Sequence, residues 1–173
     1  MKKRIVFLLT AVMLLMMASG CEQKASSSVG IANPWIESDR DGVKEATGYD
    51  LNVPEDAQNV VYSYMEDGKL AQVSYTINNH EWTYRVQATD GLTDISGMNY
   101  EWVLEDSETI GGHEAELKAY VENNGDSEYL DDMFGVQVVN WYDETEGATH
   151  SVSVSGQALD GIDLGAYVES TWM

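Results

Sequence analysis

Residues 71–88 read AQVSYTINNHEWTYRVQA, and apolar and polar side chains alternate on both sides of Asn78 and Asn79. An apolar residue at every second position is typical of a β-strand with one covered face and one wet face. Two asparagines between such runs are typical of a tight hairpin turn, because asparagine tolerates the positive φ angles that these turns require. The stretch therefore predicts two antiparallel strands joined by a hairpin.

The period of two extends beyond this hairpin in both directions. An earlier strand is predicted around Val60, and later strands are predicted around Tyr100, over 115–121, over 135–142 and over 149–155. Most connections between these runs are too short for the crossovers that parallel strands require. The sequence therefore predicts a meander of about seven antiparallel strands.

Two helices are predicted to flank the sheet. Ser38 is expected to cap the first helix and Gly48 to end it, after the helix has buried one apolar side. The second helix is predicted over 159–170, although Gly161 and Gly165 each lower helix propensity by about 1 kcal/mol. An exposed row of Trp and Tyr would favour aggregation, so the second helix is expected to cover one face of the sheet. The predicted class is α+β: a curved antiparallel sheet with a short N-terminal helix and a C-terminal helix packed on it.

The N-terminus has the pattern of a secretory signal. Three basic residues at 2–4 precede an apolar run over 5–17 that only Thr10 interrupts. A membrane-spanning helix needs about 20 apolar residues, and this run is shorter. Small residues at 18–20 follow it, and then Cys21. The sequence predicts a signal peptide over residues 1–20.

Cys21 is the only cysteine of the chain and so has no internal disulfide partner. Small residues before a cysteine resemble the lipobox of bacterial lipoproteins, in which the thiol receives a diacylglyceryl group and the chain is cut just before it. The resemblance implies that Cys21 is the acylated mature N-terminus, that residues 21–33 form a flexible tether and that residues 34–173 form one acidic domain. The expected location is the outer side of the cell membrane. A secreted protein with an incidental cysteine is the alternative.

The mature chain is strongly acidic. Residues 1–20 hold three of the nine Lys and Arg and none of the 30 Asp and Glu, so their removal leaves six basic residues, 30 acidic residues and a formal charge of −24. Such a charge repels phosphates, and a nucleic-acid partner is therefore excluded. Solubility of a tethered domain accounts for the acidity without any ligand.

The course of residues 33–170 resembles a domain of unknown function common in lipoproteins and membrane-tethered regulators of Gram-positive, mainly clostridial, bacteria. Matching features are NPW at 33–35, GYDLNVP at 48–54, GHEAEL at 112–117, Trp141, and a final helix with Ala166 and Ser170. The resemblance implies an envelope location and this fold, and it implies no catalytic residue. In plan the sheet also resembles that of periplasmic lipoprotein carriers, which hold acyl chains in a half-barrel.

Metal-binding patterns are incomplete. Acidic residues at 37–42 match the first positions of a calcium loop, but Gly48 stands where the twelfth position requires a carboxylate. The acidic run from Asp126 to Asp132 could hold calcium loosely, although such runs are usually solvated. The three histidines stand at predicted strand starts and form no paired-ligand spacing. They are His80, His113 and His150. The sequence therefore predicts no metal site and no cofactor.

Catalytic patterns are also missing. The chain has no G-x-S-x-G motif, and Ser151, Ser153 and Ser155 alternate on the expected wet face of the last strand. Glu114 and Glu116 share a strand face at a spacing of about 7 Å, which some glycosidases use, but such pairs arise by chance among so many acids. The protein is predicted not to be an enzyme.

Two functions remain open from the sequence. The favoured one is a non-enzymatic binding or sensing module for an envelope protein, peptide or glycan, and the alternative is a carrier of a lipid or other hydrophobic ligand between sheet and helix. Trp82, Tyr84 and Trp102 are the candidate ligand-binding residues if the sheet leaves an aromatic row open; otherwise they are core. A deep apolar cavity would favour the carrier, and a solid core would favour recognition at the surface.

Overall fold

The structure is a computed structural model, and it describes residues 34–122 and 133–173. The predicted signal peptide, the predicted lipidation site Cys21, the predicted tether over 21–33 and the acidic run from Asp126 to Asp132 lie outside the described residues. Within the described part, no helix is long and apolar enough to cross a membrane.

Eight antiparallel strands form one open sheet in the order β1-β2-β3-β4-β8-β7-β6-β5, together with two α-helices. In chain order the elements are β1 Ile36–Ser38, α1 Arg40–Thr47, β2 Gln58–Met65, β3 Leu70–Ile77, β4 His80–Ala88, β5 Leu104–Ile110, β6 His113–Val121, β7 Phe134–Asp143, β8 Ala148–Gln157 and α2 Leu164–Trp172. The predicted count of about seven strands omitted β1, which is too short to show an alternation.

The prediction of a meander throughout is wrong. Consecutive strands pair from β1 to β4 and from β5 to β8, but β8 lies between β4 and β7 and pairs with both. The segment 89–103 therefore crosses from the middle of the sheet to its far edge. Tyr100 and Trp102, expected on a strand, lie in this crossover segment ahead of β5.

The predicted helix limits need small corrections. The cap of α1 is Asp39 rather than Ser38, because the Asp39 carboxylate accepts a hydrogen bond from the Gly42 N–H at 2.8 Å. Gly48 ends α1 as predicted, with a left-handed φ of 91°. Ile36, just before α1, lies on β1 and is 39% exposed.

The predicted second helix over 159–170 divides into two parts. A 3₁₀ turn spans Leu159–Gly161, and α2 begins only after Asp163, whose side chain accepts from the Ala166 N–H at 3.1 Å. The earlier start predicted from the sequence overlooked this capping carboxylate, which marks the beginning of a helix more strongly than the apolar residues before it.

One face of the sheet carries the core, and both helices contribute to it. Trp82 and Tyr84 of β4 are 4% and 6% exposed. The Trp82 ring lies 4.5 Å from that of Tyr167 on α2, and the Tyr84 ring lies 5.0 Å from that of Trp172 at the end of the same helix. Val43 of α1 joins the same buried cluster. The prediction that the C-terminal helix packs on the sheet is therefore confirmed.

The crossover segment lies against the opposite face. Arg85 of β4 donates to the backbone carbonyls of Ile95 and Ser96, and Lys118 of β6 donates to Asp94 at 2.9 Å. Ser151 and Ser153 on the strand between these anchors are 1% and 3% exposed. Their prediction as wet-face residues is wrong, because the crossover segment, which was predicted as a strand only around Tyr100, lies against this face.

Asp94→Asn is expected to destabilise the full chain at neutral pH and to have little effect in acid. Burial alone raises the pKa of Asp94, but hydrogen bonds from Ser96 and Lys118 outweigh it and hold the pKa below its ordinary value. A carboxyl with a lowered folded-state pKa stabilises the fold above its unfolded pKa of about 3.9, and this contribution is lost as the pH falls through the folded-state pKa.

Urea unfolding should therefore show a loss of about 1 kcal/mol at pH 7, after allowance for partial exposure of the pair. The variant and the parent should converge at about pH 2. Asp67→Asn, at an exposed turn, is the matched control and should match the parent at both pH values. An Asp94→Asn deficit that is the same at both pH values would show that the charge is not responsible.

Candidate functional site

The turn between β7 and β8 brings together three potential ligand groups. Asp143 ends β7, and its Oδ1 atom accepts hydrogen bonds from the N–H groups of Thr145 at 2.7 Å and Glu146 at 3.1 Å. This local closure fixes the backbone of the turn. As a result the Glu146 carboxylate comes back to His150 of β8, with 3.3 Å between Glu146 Oε2 and His150 Nε2.

His150 is held rigidly among aromatic rings. Its ring is 5.0 Å from that of Trp141 and 6.0 Å from that of Tyr84, and all three are nearly parallel. His150 Nδ1 lies 2.9 Å from the Tyr84 hydroxyl. The residue is 8% exposed, and its Nε2 atom makes no hydrogen bond with good geometry. The ring therefore presents Nε2 to the two carboxylates while its other nitrogen is fixed.

The charges of the group are set by burial and by the turn. Burial lowers the pKa of His150, against the opposing pull of Glu146 and Asp143, so the imidazole is neutral at pH 7. Burial would raise the pKa of Asp143, but the turn N–H groups and the nearby histidines bring it below its ordinary value. Burial raises the pKa of the Tyr84 hydroxyl, which stays protonated. At neutral pH the group therefore combines a neutral imidazole with acidic side chains.

Two adjoining cavities of about 420 and 320 Å³ open around this group. We call them together the histidine pocket. The residues that line both are Asp50, Tyr84, Glu146 and His150. The Asp50 carboxylate is 2.6 Å from Arg40 and 2.8 Å from Lys44, so its charge is offset by α1. Asp143 and Glu146 form the acidic side of the pocket, and Arg40 and Lys44 do not offset their charges.

The residues predicted from sequence are not brought to one surface. Trp82 and Tyr84 lie beneath α2, and only Tyr84 reaches the histidine pocket. Trp102 lies at the face covered by the crossover segment. The centre of its ring is 6.0 Å from the ammonium group of Lys118. The role of these residues in ligand binding remains a prediction.

Among the histidines, His113 also lines the pocket and His80 does not. His113 Nδ1 lies 3.2 Å from the Tyr142 carbonyl, and His80 Nε2 lies 2.9 Å from the Gln157 carbonyl. Ligand atoms of Asp143, Glu146 and His150 all lie within 4.8 Å of one another, and this is the group in the described part of the chain that could hold a metal ion. The prediction of no metal site weighed the acidic runs and the histidine spacing separately, and it did not combine His150 with the carboxylates of the turn before it.

An apolar groove lies elsewhere on the core face, between strands β5–β7 and the start of α2. Its volume is about 440 Å³, and it is open to solvent. Apolar side chains dominate its lining: Leu104, Leu117, Ala119, Val139, Ile162 and Leu164. Leu104 is 53% exposed. The groove is therefore a surface feature rather than an enclosed cavity.

Comparisons with protein-family models, with curated proteins and with solved structures gave no match.

Proposed function

We propose that this protein is a non-enzymatic binding module held outside the cytoplasmic membrane by a lipid on Cys21, and that its ligand is a cation that enters the histidine pocket. The observation that carries this proposal is the Nε2 atom of His150, which is buried without a hydrogen bond of good geometry and faces the Glu146 carboxylate at 3.3 Å, with Asp143 close by. An imidazole nitrogen and a carboxylate at this distance favour either a proton or a bound cation between them.

The long-range field acts in the same direction. The whole chain has a formal charge of −21, which raises the local concentration of cations and repels anionic ligands. Arg40 and Lys44 neutralise Asp50 but do not pair with Asp143 or Glu146. The pocket therefore keeps a net negative side toward which a cation is drawn.

The surroundings of His150 favour binding over catalysis. The hydroxyl that contacts His150 belongs to Tyr84, and burial raises its pKa, so it is a poor nucleophile and a poor base. In the described part of the chain, no serine, threonine or cysteine side chain is hydrogen-bonded to His150. A nucleophile–base pair of the hydrolase type is thus missing from this pocket.

The test is native mass spectrometry of the full chain, purified from membranes in detergent without chelators. We expect the wild-type protein to carry a bound cation, which adds a defined mass to that of the chain. Glu146→Gln should lose this added mass, because the variant removes one negative charge from an exposed side chain without altering the buried rings. Glu144→Gln, an exposed neighbour in the same turn, is the matched control and should retain the added mass. A wild-type protein that carries and binds nothing at this pocket would refute the proposal.

A second candidate function is a carrier of a hydrophobic ligand, and the groove between β5–β7 and α2 favours it. Its lining is mainly apolar, and Leu117 of β6 is one of the lining residues. In the same experiment a carrier would retain a lipid. That lipid would be lost from Leu117→Asp and kept by Glu146→Gln, the reverse of the pattern expected for a cation in the histidine pocket.

A further inference from the structure

We infer that the ligand of the histidine pocket is a divalent cation of the zinc class, bound by Asp143, Glu146 and His150. The inference rests on the proposed function, because it names the ligand of the same pocket. The group offers one imidazole nitrogen and carboxylate oxygens within 4.8 Å of one another. Three protein ligands of this kind with one position left open are typical of accessible zinc sites.

The distances fit such an ion after a small side-chain adjustment. Tetrahedral zinc with bonds of about 2.1 Å places its ligand atoms about 3.4 Å apart. Glu146 Oε2 and His150 Nε2 are already 3.3 Å apart. The carboxylates must make the remaining adjustment, and the Glu146 side chain is 53% exposed. Asp143 uses Oδ1 to close the turn, which leaves Oδ2 for the ion.

His150 is prepared for the role of ligand. A metal-bound histidine is usually oriented by a hydrogen bond from its second ring nitrogen, which fixes the tautomer. Here His150 Nδ1 lies 2.9 Å from the Tyr84 hydroxyl, and an Nδ1–H that donates to this hydroxyl leaves Nε2 as the metal-binding atom. The Trp141 ring, 5.0 Å away and nearly parallel, prevents the imidazole from turning aside.

The same packing disfavours an organic ammonium ion. Recognition of such ions uses the open faces of several aromatic rings. In the histidine pocket the faces of Tyr84 and Trp141 lie against His150 and against each other, and Trp172 lies against Tyr84. A hard cation such as calcium prefers sites made of oxygen ligands alone, and the imidazole sets this pocket apart from them.

The experiment is calorimetric titration of the full chain in detergent, after removal of bound metal, with zinc chloride, calcium chloride and tetramethylammonium chloride as separate probes. We expect one zinc ion per chain. Calcium should bind at least about tenfold more weakly than zinc, and tetramethylammonium should not bind. Glu146→Gln should weaken zinc binding at least about tenfold with unchanged melting in the absence of metal, and Asp143→Asn should weaken zinc binding at least as much. Glu144→Gln is the matched control and should bind like the parent.

Each other outcome overturns the inference. Equal losses in Glu144→Gln and Glu146→Gln would show diffuse binding to an acidic surface. Calcium binding as tight as zinc binding would remove the role of His150. If tetramethylammonium binds and zinc does not, the ligand is an organic cation, and the proposed cation-binding function survives without the metal. If no probe binds and native mass spectrometry shows no added mass on the wild-type protein, both proposals fail.

Discussion

Trp82→Ala is expected to destabilise the domain by about 3 to 5 kcal/mol. Trp82 is 4% exposed, its ring lies 6.4 Å from that of Tyr75 and 4.5 Å from that of Tyr167, and the variant removes both contacts. Because Tyr167 belongs to α2, the cavity opens between the helix and the sheet, where neither element can collapse without disturbing the other. The midpoint temperature of thermal unfolding should fall by about 10 °C.

Trp82→Phe separates the loss of packing from the loss of the indole. Within the described residues the Trp82 Nε1 atom is buried without a hydrogen-bond partner, so the phenyl ring removes an unpaired donor while it keeps much of the aromatic contact. We expect a clearly smaller loss of unfolding free energy than for alanine. Melting of Trp82→Ala that equals the parent would mean that Trp82 lines an open groove, as the alternative reading of the aromatic rows proposes.

The local part of the fold is readable from the sequence because its signals are short-range. The alternation in 71–88 predicts β3 and β4, and the structure pairs Tyr75 with Trp82 in the register that the Asn78–Asn79 turn imposes. Both asparagines have positive φ, 51° and 63°, as a tight hairpin requires. Here the turn residues and the period agree, so one register satisfies both.

The long-range part is not readable in the same way. Apolar and polar residues alternate along β8, but this alternation does not determine which strands lie beside it in the sheet. In the structure β8 pairs with β4, which is distant in the sequence. The crossover segment carries Tyr100 and Trp102 at the spacing of a strand, but these two residues do not belong to a strand of the sheet. Their side chains instead pack on Tyr120 and Lys118. Tertiary packing therefore overrides the local pattern.

In the histidine pocket, too, the local arrangement can be predicted from the sequence and the long-range contacts cannot. Asp143, Glu146 and His150 are close in sequence, and a turn that folds back through its first carboxylate could be anticipated from their spacing. The orientation of His150 could not, because it depends on Tyr84, which is distant in the chain and reaches His150 only once β4 and β8 are neighbours. A site whose residues come from different strands can therefore be predicted in full only when the strand order is also predicted.

Cys21→Ala is expected to abolish lipid attachment. Cys21 is the only thiol of the chain, so no other residue can replace it as acceptor of a thioether-linked lipid. The described residues contain no helix able to span a membrane. Acyl chains contribute about 0.8 kcal/mol per buried methylene, so a processed chain without the lipid should leave the membrane fraction.

The measurement is the distribution of the full chain between membrane and soluble fractions, together with incorporation of labelled palmitate. The parent should be acylated, cut before Cys21 and found in the membrane fraction. Cys21→Ala should carry no label, and it should either remain as uncut precursor or appear outside the membrane fraction. Ser19→Ala keeps a small residue beside the cut and should behave like the parent. A Cys21→Ala protein that is processed and membrane-bound like the parent would refute lipid anchoring, and with it the envelope part of the proposed function.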